Sequence, residues 1–129
     1  MTKGFTLLET VIALAILGVA SGSIITIFSE SLYRIRHSER VMQANALAQS
    51  LLARVEVGEI SLQANSTPMG EADGGFSWKI EALPYGAAED RSAWVMQPQK
   101  VAIAVSWDDK KENDTTTLSA LVLIPKSVE

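Results

Sequence analysis

An apolar run from Phe5 to Phe28, broken by the single charge of Glu9, constrains this chain more than any other feature. As a helix the run is long enough to cross a bilayer, which needs roughly 20 mostly apolar residues. A carboxylate inside such a span costs at least about 2.5–3.5 kcal/mol near the helix centre. The run holds no basic residue to offset it, so Glu9 implies a partner charge from outside the run. Directly before Phe5 stand a basic Lys3 and a Gly4.

The order Lys3-Gly4-Phe5-Thr6-Leu7-Leu8-Glu9, followed by Thr10-Val11-Ile12-Ala13-Leu14-Ala15-Ile16-Leu17, resembles the type IV prepilin class of signal sequences. The resemblance covers about the first thirty residues, with basic leader, glycine, phenylalanine and glutamate all in register. It implies that a membrane peptidase cuts between Gly4 and Phe5 at the inner face of the membrane. The same enzyme then methylates Phe5, and Glu9, fifth in the mature chain, serves assembly. An ordinary secretory signal fits less well. Its apolar core is short and ends at a small-residue cleavage site, whereas this run is long and meets no Ala-x-Ala. A plain single-span anchor would accommodate Glu9 only awkwardly.

The 129 residues suffice for one small domain. Four segments are expected: a leader over 1–4, a membrane and assembly half-helix over 5–28, an amphipathic half-helix over 29–57, and a β-rich globular domain over 58–129. With the span set aside, the soluble core must be small. Charge is uneven. Residues 29–57 carry Arg34, Arg36, Arg40 and Arg54 against Glu30, Glu39 and Glu56, while residues 58–129 carry eleven acids against six bases. An acidic globular end offers no footprint for nucleic acid. The chain lacks cysteine, which excludes disulfides, thiolate metal sites and a cysteine nucleophile.

No proline or glycine interrupts residues 29–57. Apolar residues recur at Leu32 and Ile35, then at Ala44, Leu47, Ala48, Leu51, Leu52 and Val55, the later group on one helix face. Gly58 is a natural stop. The expectation is one helix of about 50 residues, roughly 75–80 Å long. Gly18 and Gly22 have the small-xxx-small spacing of a membrane packing face, although glycine is common in such helices anyway. Residues 61–75 read as loop, ending in Asp73-Gly74-Gly75. Phe76 to Ala82 and Val101 to Trp107 alternate as half-buried strands, and Leu118 to Ile124 is a third. Trp94-Val95-Met96 offers a short further strand. Strands folding back over the apolar stripe of the helix give an α+β, pilin-like architecture. The family resemblance implies the same.

No catalytic constellation is evident. His37, the one histidine, sits between Arg36 and Ser38 on the polar helix and reads as solvated. No phosphate loop, nucleophile elbow or metal-spaced histidine pair occurs. Asp108, Asp109, Glu112, Asn113 and Asp114 could supply oxygens to calcium, but Lys110 and Lys111 interrupt them and the spacing is not that of a calcium loop. No metal and no cofactor is expected. Trp78 and Trp107 are in phase with apolar strand faces and read as core; Trp94 stays open between core and interface.

Within the class, the body resembles the I-type minor pseudopilin of type II secretion, on Ala46-Leu47-Ala48-Gln49-Ser50-Leu51-Leu52, Phe76-Ser77-Trp78 and the strand from Val101 to Trp107. The resemblance implies a non-enzymatic protein of the bacterial inner membrane with its globular domain in the periplasm. The partners it implies are the J- and K-type minor pseudopilins, the major pseudopilin and the prepilin peptidase. A minor pilin of a type IV pilus is the alternative.

Overall fold

A computed structural model describes residues 4–62, 66–108 and 114–125. The elements are α1 (Leu7–Glu56), β1 (Met69–Ala72), β2 (Phe76–Pro84), α2 (Ala88–Ala93), β3 (Met96–Ser106) and β4 (Thr115–Pro125). This is the α+β class expected from the sequence. The chain divides into two compact units, Met1–Ser38 and Glu39–Glu129.

The first unit is the bare part of α1. Every buried residue of α1 lies at Ala44 or beyond. In the first unit, hydroxyls satisfy themselves on the helix backbone. Ser23 donates to the Val19 carbonyl at 3.0 Å, Thr26 to Gly22 at 3.1 Å, Ser29 to Ile25 at 2.9 Å and Ser31 to Ile27 at 2.9 Å. This back-bonding removes the cost of a lone hydroxyl in hydrocarbon. Glu30 and Arg34, one turn apart, close an ion pair at 2.7 Å.

In the second unit, Ala44, Ala48, Leu51 and Val55 are buried at spacings of four, three and four, with Leu47 and Leu52 packed beside them. The helix ends where Gly58 takes φ +77°, a backbone conformation that glycine adopts without a Cβ penalty. The Gly58 N–H returns to the Val55 carbonyl and the Glu59 N–H to that of Arg54, and Arg54 also pairs with the Glu59 carboxylate at 3.2 Å.

The four strands form an antiparallel meander in the order β1-β2-β3-β4. Its inner face presents Phe76 and Ile80 from β2, Val101, Ile103 and Val105 from β3, and Val122 from β4, in one cluster with the helix stripe. The tip of the β1–β2 hairpin is fastened to α1 by Arg40. Its guanidinium donates to the Gly74 carbonyl at 2.8 Å and lies 5.3 Å from the centre of the Phe76 ring.

Several local expectations need correction. Within the stretch read as loop, Met69–Ala72 is a strand. Its Met-Gly-Glu-Ala sequence has no β-branched residue, so propensity concealed it. Gly70 is explained by its neighbour: a Cβ there would lie 2.8 Å from Cζ2 of Trp78 on the paired strand. Trp94 and Val95 are not a strand. They follow the short helix α2, and β3 begins at Met96. Trp78 and Trp107 pack against the core half-buried instead of filling it, and Trp107 lies just past the end of β3. Pro98 sits inside β3, where it faces Tyr85 beyond the end of β2, and its carbonyl accepts the Tyr85 N–H at 3.0 Å. Its missing N–H is therefore not taken from the β3–β4 ladder. His37 is half-buried and not simply solvated.

Candidate functional site

The candidate residues that the sequence singles out lie at the start of α1. Gly4, Phe5 and Thr6 precede the helix, and Glu9 lies in its first turn. Lys3 lies outside the described residues. Thr6 acts as the helix N-cap: its Oγ1 accepts the Glu9 N–H at 3.2 Å, and its carbonyl accepts both the N–H and the hydroxyl of Thr10. Thr6-x-x-Glu9 is thus the threonine and glutamate spacing of a capping box, with the acid also well placed for the positive end of the helix dipole. The Thr6-x-x-Glu9 spacing is itself legible in the sequence.

Local helix chemistry therefore accounts for the backbone of Glu9 and gives its carboxylate a mild reason to sit in the first turn. It supplies no counter-charge. Glu30–Arg34, Arg54–Glu59 and Lys79–Glu81 form ion pairs among the described residues, and Glu9 is in none of these three. Around it the helix is open: Phe5 is 85% exposed and Leu7 86%.

Gly4 has no positive φ, and nothing lies within 4 Å of the Cβ it lacks. Neither backbone strain nor crowding inside the chain requires glycine there. Gly18 and Gly22 are likewise open on the helix surface.

Residues 1–25 match the prokaryotic N-terminal methylation motif. That match supports a type IV pilin-like protein, pilin or pseudopilin, whose N-terminus is a substrate of a prepilin peptidase and whose chain associates with a membrane. Helix α1 is long and apolar enough to cross a membrane, with none of its most apolar window buried, in keeping with membrane anchoring of a pilin-like chain. No curated protein and no solved structure matches the chain.

Elsewhere, no group of three or more His, Asp or Glu side chains that could hold a metal occurs among the described residues. The acidic loop weighed for calcium falls largely on residues 109–113, outside the described residues. Ser77 and Ser106 share a hydroxyl hydrogen bond of 2.7 Å on the outer face of the sheet.

Proposed function

We propose that this protein is a minor pseudopilin of a bacterial type II secretion system, joining J- and K-type minor pseudopilins and the major pseudopilin to form or initiate the pseudopilus tip. Cleavage between Gly4 and Phe5 leaves Phe5 as a methylated N-terminus. Residues 5–28 then hold the chain in the inner membrane, with the sheet in the periplasm. The observation that carries the reading is the methylation motif over residues 1–25, set on an exposed apolar helix. The choice of member is supported by the lack of cysteine and the I-type resemblance of the body.

The physical logic centres on Glu9. Cleavage creates an ammonium at Phe5, and methylation keeps it cationic at neutral pH. A lone carboxylate and a lone ammonium are each unfavourable in hydrocarbon, so bringing them together offsets part of both costs. The pair can close within one chain, since the mature N-terminus lies one turn from Glu9. It can also close between neighbours, and there it fixes their axial register. Assembly uses the second arrangement in our reading.

The test is deletion and complementation in a bacterium that secretes by this route. Loss of the chain should trap exported proteins in the periplasm, with rescue by the wild type, and the wild type should co-purify with the other minor pseudopilins. Intact secretion with loss of surface pili would instead favour the minor pilin.

A further inference from the structure

The backbone changes character just after the proposed cut. Gly4, Phe5 and Thr6 are not helical, and α1 begins at Leu7. In a helix begun one turn earlier, the Leu8 N–H would bond the Gly4 carbonyl and the Glu9 N–H the Phe5 carbonyl, each four residues back. Neither bond is made. The Glu9 N–H goes instead to Thr6 Oγ1 at 3.2 Å. Among the described residues, no backbone hydrogen bond reaches the carbonyl of Gly4 or Phe5. The first carbonyl in the helical ladder is that of Thr6, held by the Thr10 N–H at 3.2 Å and by the Thr10 hydroxyl at 3.3 Å. One side chain thus takes the N–H that would otherwise draw Phe5 into the helix.

The bond at stake is Gly4–Phe5. Its hydrolysis breaks the C–N bond, with the hydroxyl of a water passing to the Gly4 carbonyl carbon and the proton to the Phe5 nitrogen. A peptidase aims donors at the carbonyl oxygen as it takes on negative charge, and proteolysis concentrates where backbone is exposed and loosely held. A Gly4 carbonyl bonded to the Leu8 N–H would offer its oxygen to its own helix instead. In an apolar medium each unpaired backbone group is costly, so an uncapped helix gains by extending over Phe5 and Gly4. Two features oppose that extension. Glycine is a poor helix former, and Thr6 holds the N–H that the next turn needs. No crowding opposes it: nothing lies within 4 Å of the Cβ that Gly4 lacks, and Phe5 is 85% exposed.

We propose that Thr6 is a positioning residue for the peptidase: its hydroxyl fixes the start of α1 at Leu7 and so keeps the Gly4–Phe5 bond out of the helix for cleavage. Thr6 takes no part in the chemistry and acts only through the N–H it holds. The inference rests on the proposed function only for the bond that is cut, which a minor pilin would share.

The experiment follows cleavage of the full-length precursor in membranes that contain a prepilin peptidase, by mass spectrometry over time. The variants separate shape from hydrogen bonding. Thr6→Val keeps the shape and loses the acceptor, Thr6→Asn changes the shape and keeps an acceptor, and Thr6→Ser keeps the hydroxyl. Thr6→Ser and Thr6→Asn should be cut at about the wild-type rate. Thr6→Val should be cut about fivefold more slowly, the equivalent of about 1 kcal/mol for a lost cap. Every variant still reaches the cut state, so the rate is the readout. Carbonyl NMR shifts of Gly4 and Phe5 in the detergent-solubilised precursor should move toward helical values in Thr6→Val and stay in place in Thr6→Asn. A wild-type rate in Thr6→Val, equal slowing in Thr6→Asn, slowing without a change in those shifts, or a wild type cut at another bond would each overturn the proposal. Secretion measured in the same strains separates the two readings. A chain needed for secretion whose Thr6→Val variant is cut at the wild-type rate refutes the cap alone. A chain dispensable for secretion that shows the expected rates refutes the proposed function alone.

Discussion

Leu51→Ala is the sharpest test of how the sheet is held on α1. Leu51 is 2% exposed and sits between Ala48 and Val55 on the buried stripe. The substitution deletes three carbons, worth about 2.5 kcal/mol at about 0.8 kcal/mol for each buried methylene. Ala44 and Ala48 have no side-chain length with which to fill the space, so a cavity term is added and the total falls within the roughly 2–5 kcal/mol measured for leucine truncations in cores. For a domain of this size a loss of about 3 kcal/mol lowers the melting temperature by roughly 10–25 °C. The assay is thermal and urea unfolding of the full chain in detergent, followed by tryptophan fluorescence. All three tryptophans lie in the second unit, so the signal reports the sheet and its core. Leu32→Ala, at a residue 46% exposed in the first unit, serves as the comparison and should leave the transition in place. A Leu51→Ala loss below about 1 kcal/mol, or one equal to that of Leu32→Ala, would show that the stripe does not anchor the sheet.

Three further outcomes are expected. Gly4→Val should leave uncut precursor in membranes while a change at Thr2 is processed normally; mass spectrometry finding Met1 or Thr2 on the mature wild type would refute cleavage after Gly4. Glu9→Gln should be cut normally yet join partners poorly, whereas Thr6→Ala, which removes the cap at about 1 kcal/mol, should assemble; equal co-purification defects in both would reduce Glu9 to a helix-starting residue. Gly70→Ala should cost roughly 1–3 kcal/mol through overpacking against Trp78, with a shift in tryptophan emission, and an unchanged emission and stability would refute the close approach of strand and ring.

What could be read from the sequence followed the strength of its periodicity. Ala44, Ala48, Leu51 and Val55 repeat at helical spacing, and Phe76 to Ala82 and Val101 to Val105 alternate cleanly, so α1, β2 and β3 were legible. β1 was not, because Gly70 and Glu71 speak against a strand; what favours one is Trp78 across the ladder, and a single sequence does not show which residues lie opposite each other. Helix α2 is six residues of mixed polarity with no side-chain cap, too short for a period to show. At the N-terminus the outcome was mixed. Gly4, Phe5 and Glu9 are marked by their order, whereas the role of Thr6 rests on its hydrogen bond to the Glu9 N–H, which depends on where α1 begins.

The back-bonded hydroxyls of the first unit set what a neighbouring helix can find on it. With Ser23, Thr26, Ser29 and Ser31 each donating to its own helix, these hydroxyls keep only their oxygen lone pairs for a neighbour. A neighbour gains a hydrogen bond there only by bringing a donor of its own, and apolar side chains meet this stretch through dispersion and shape.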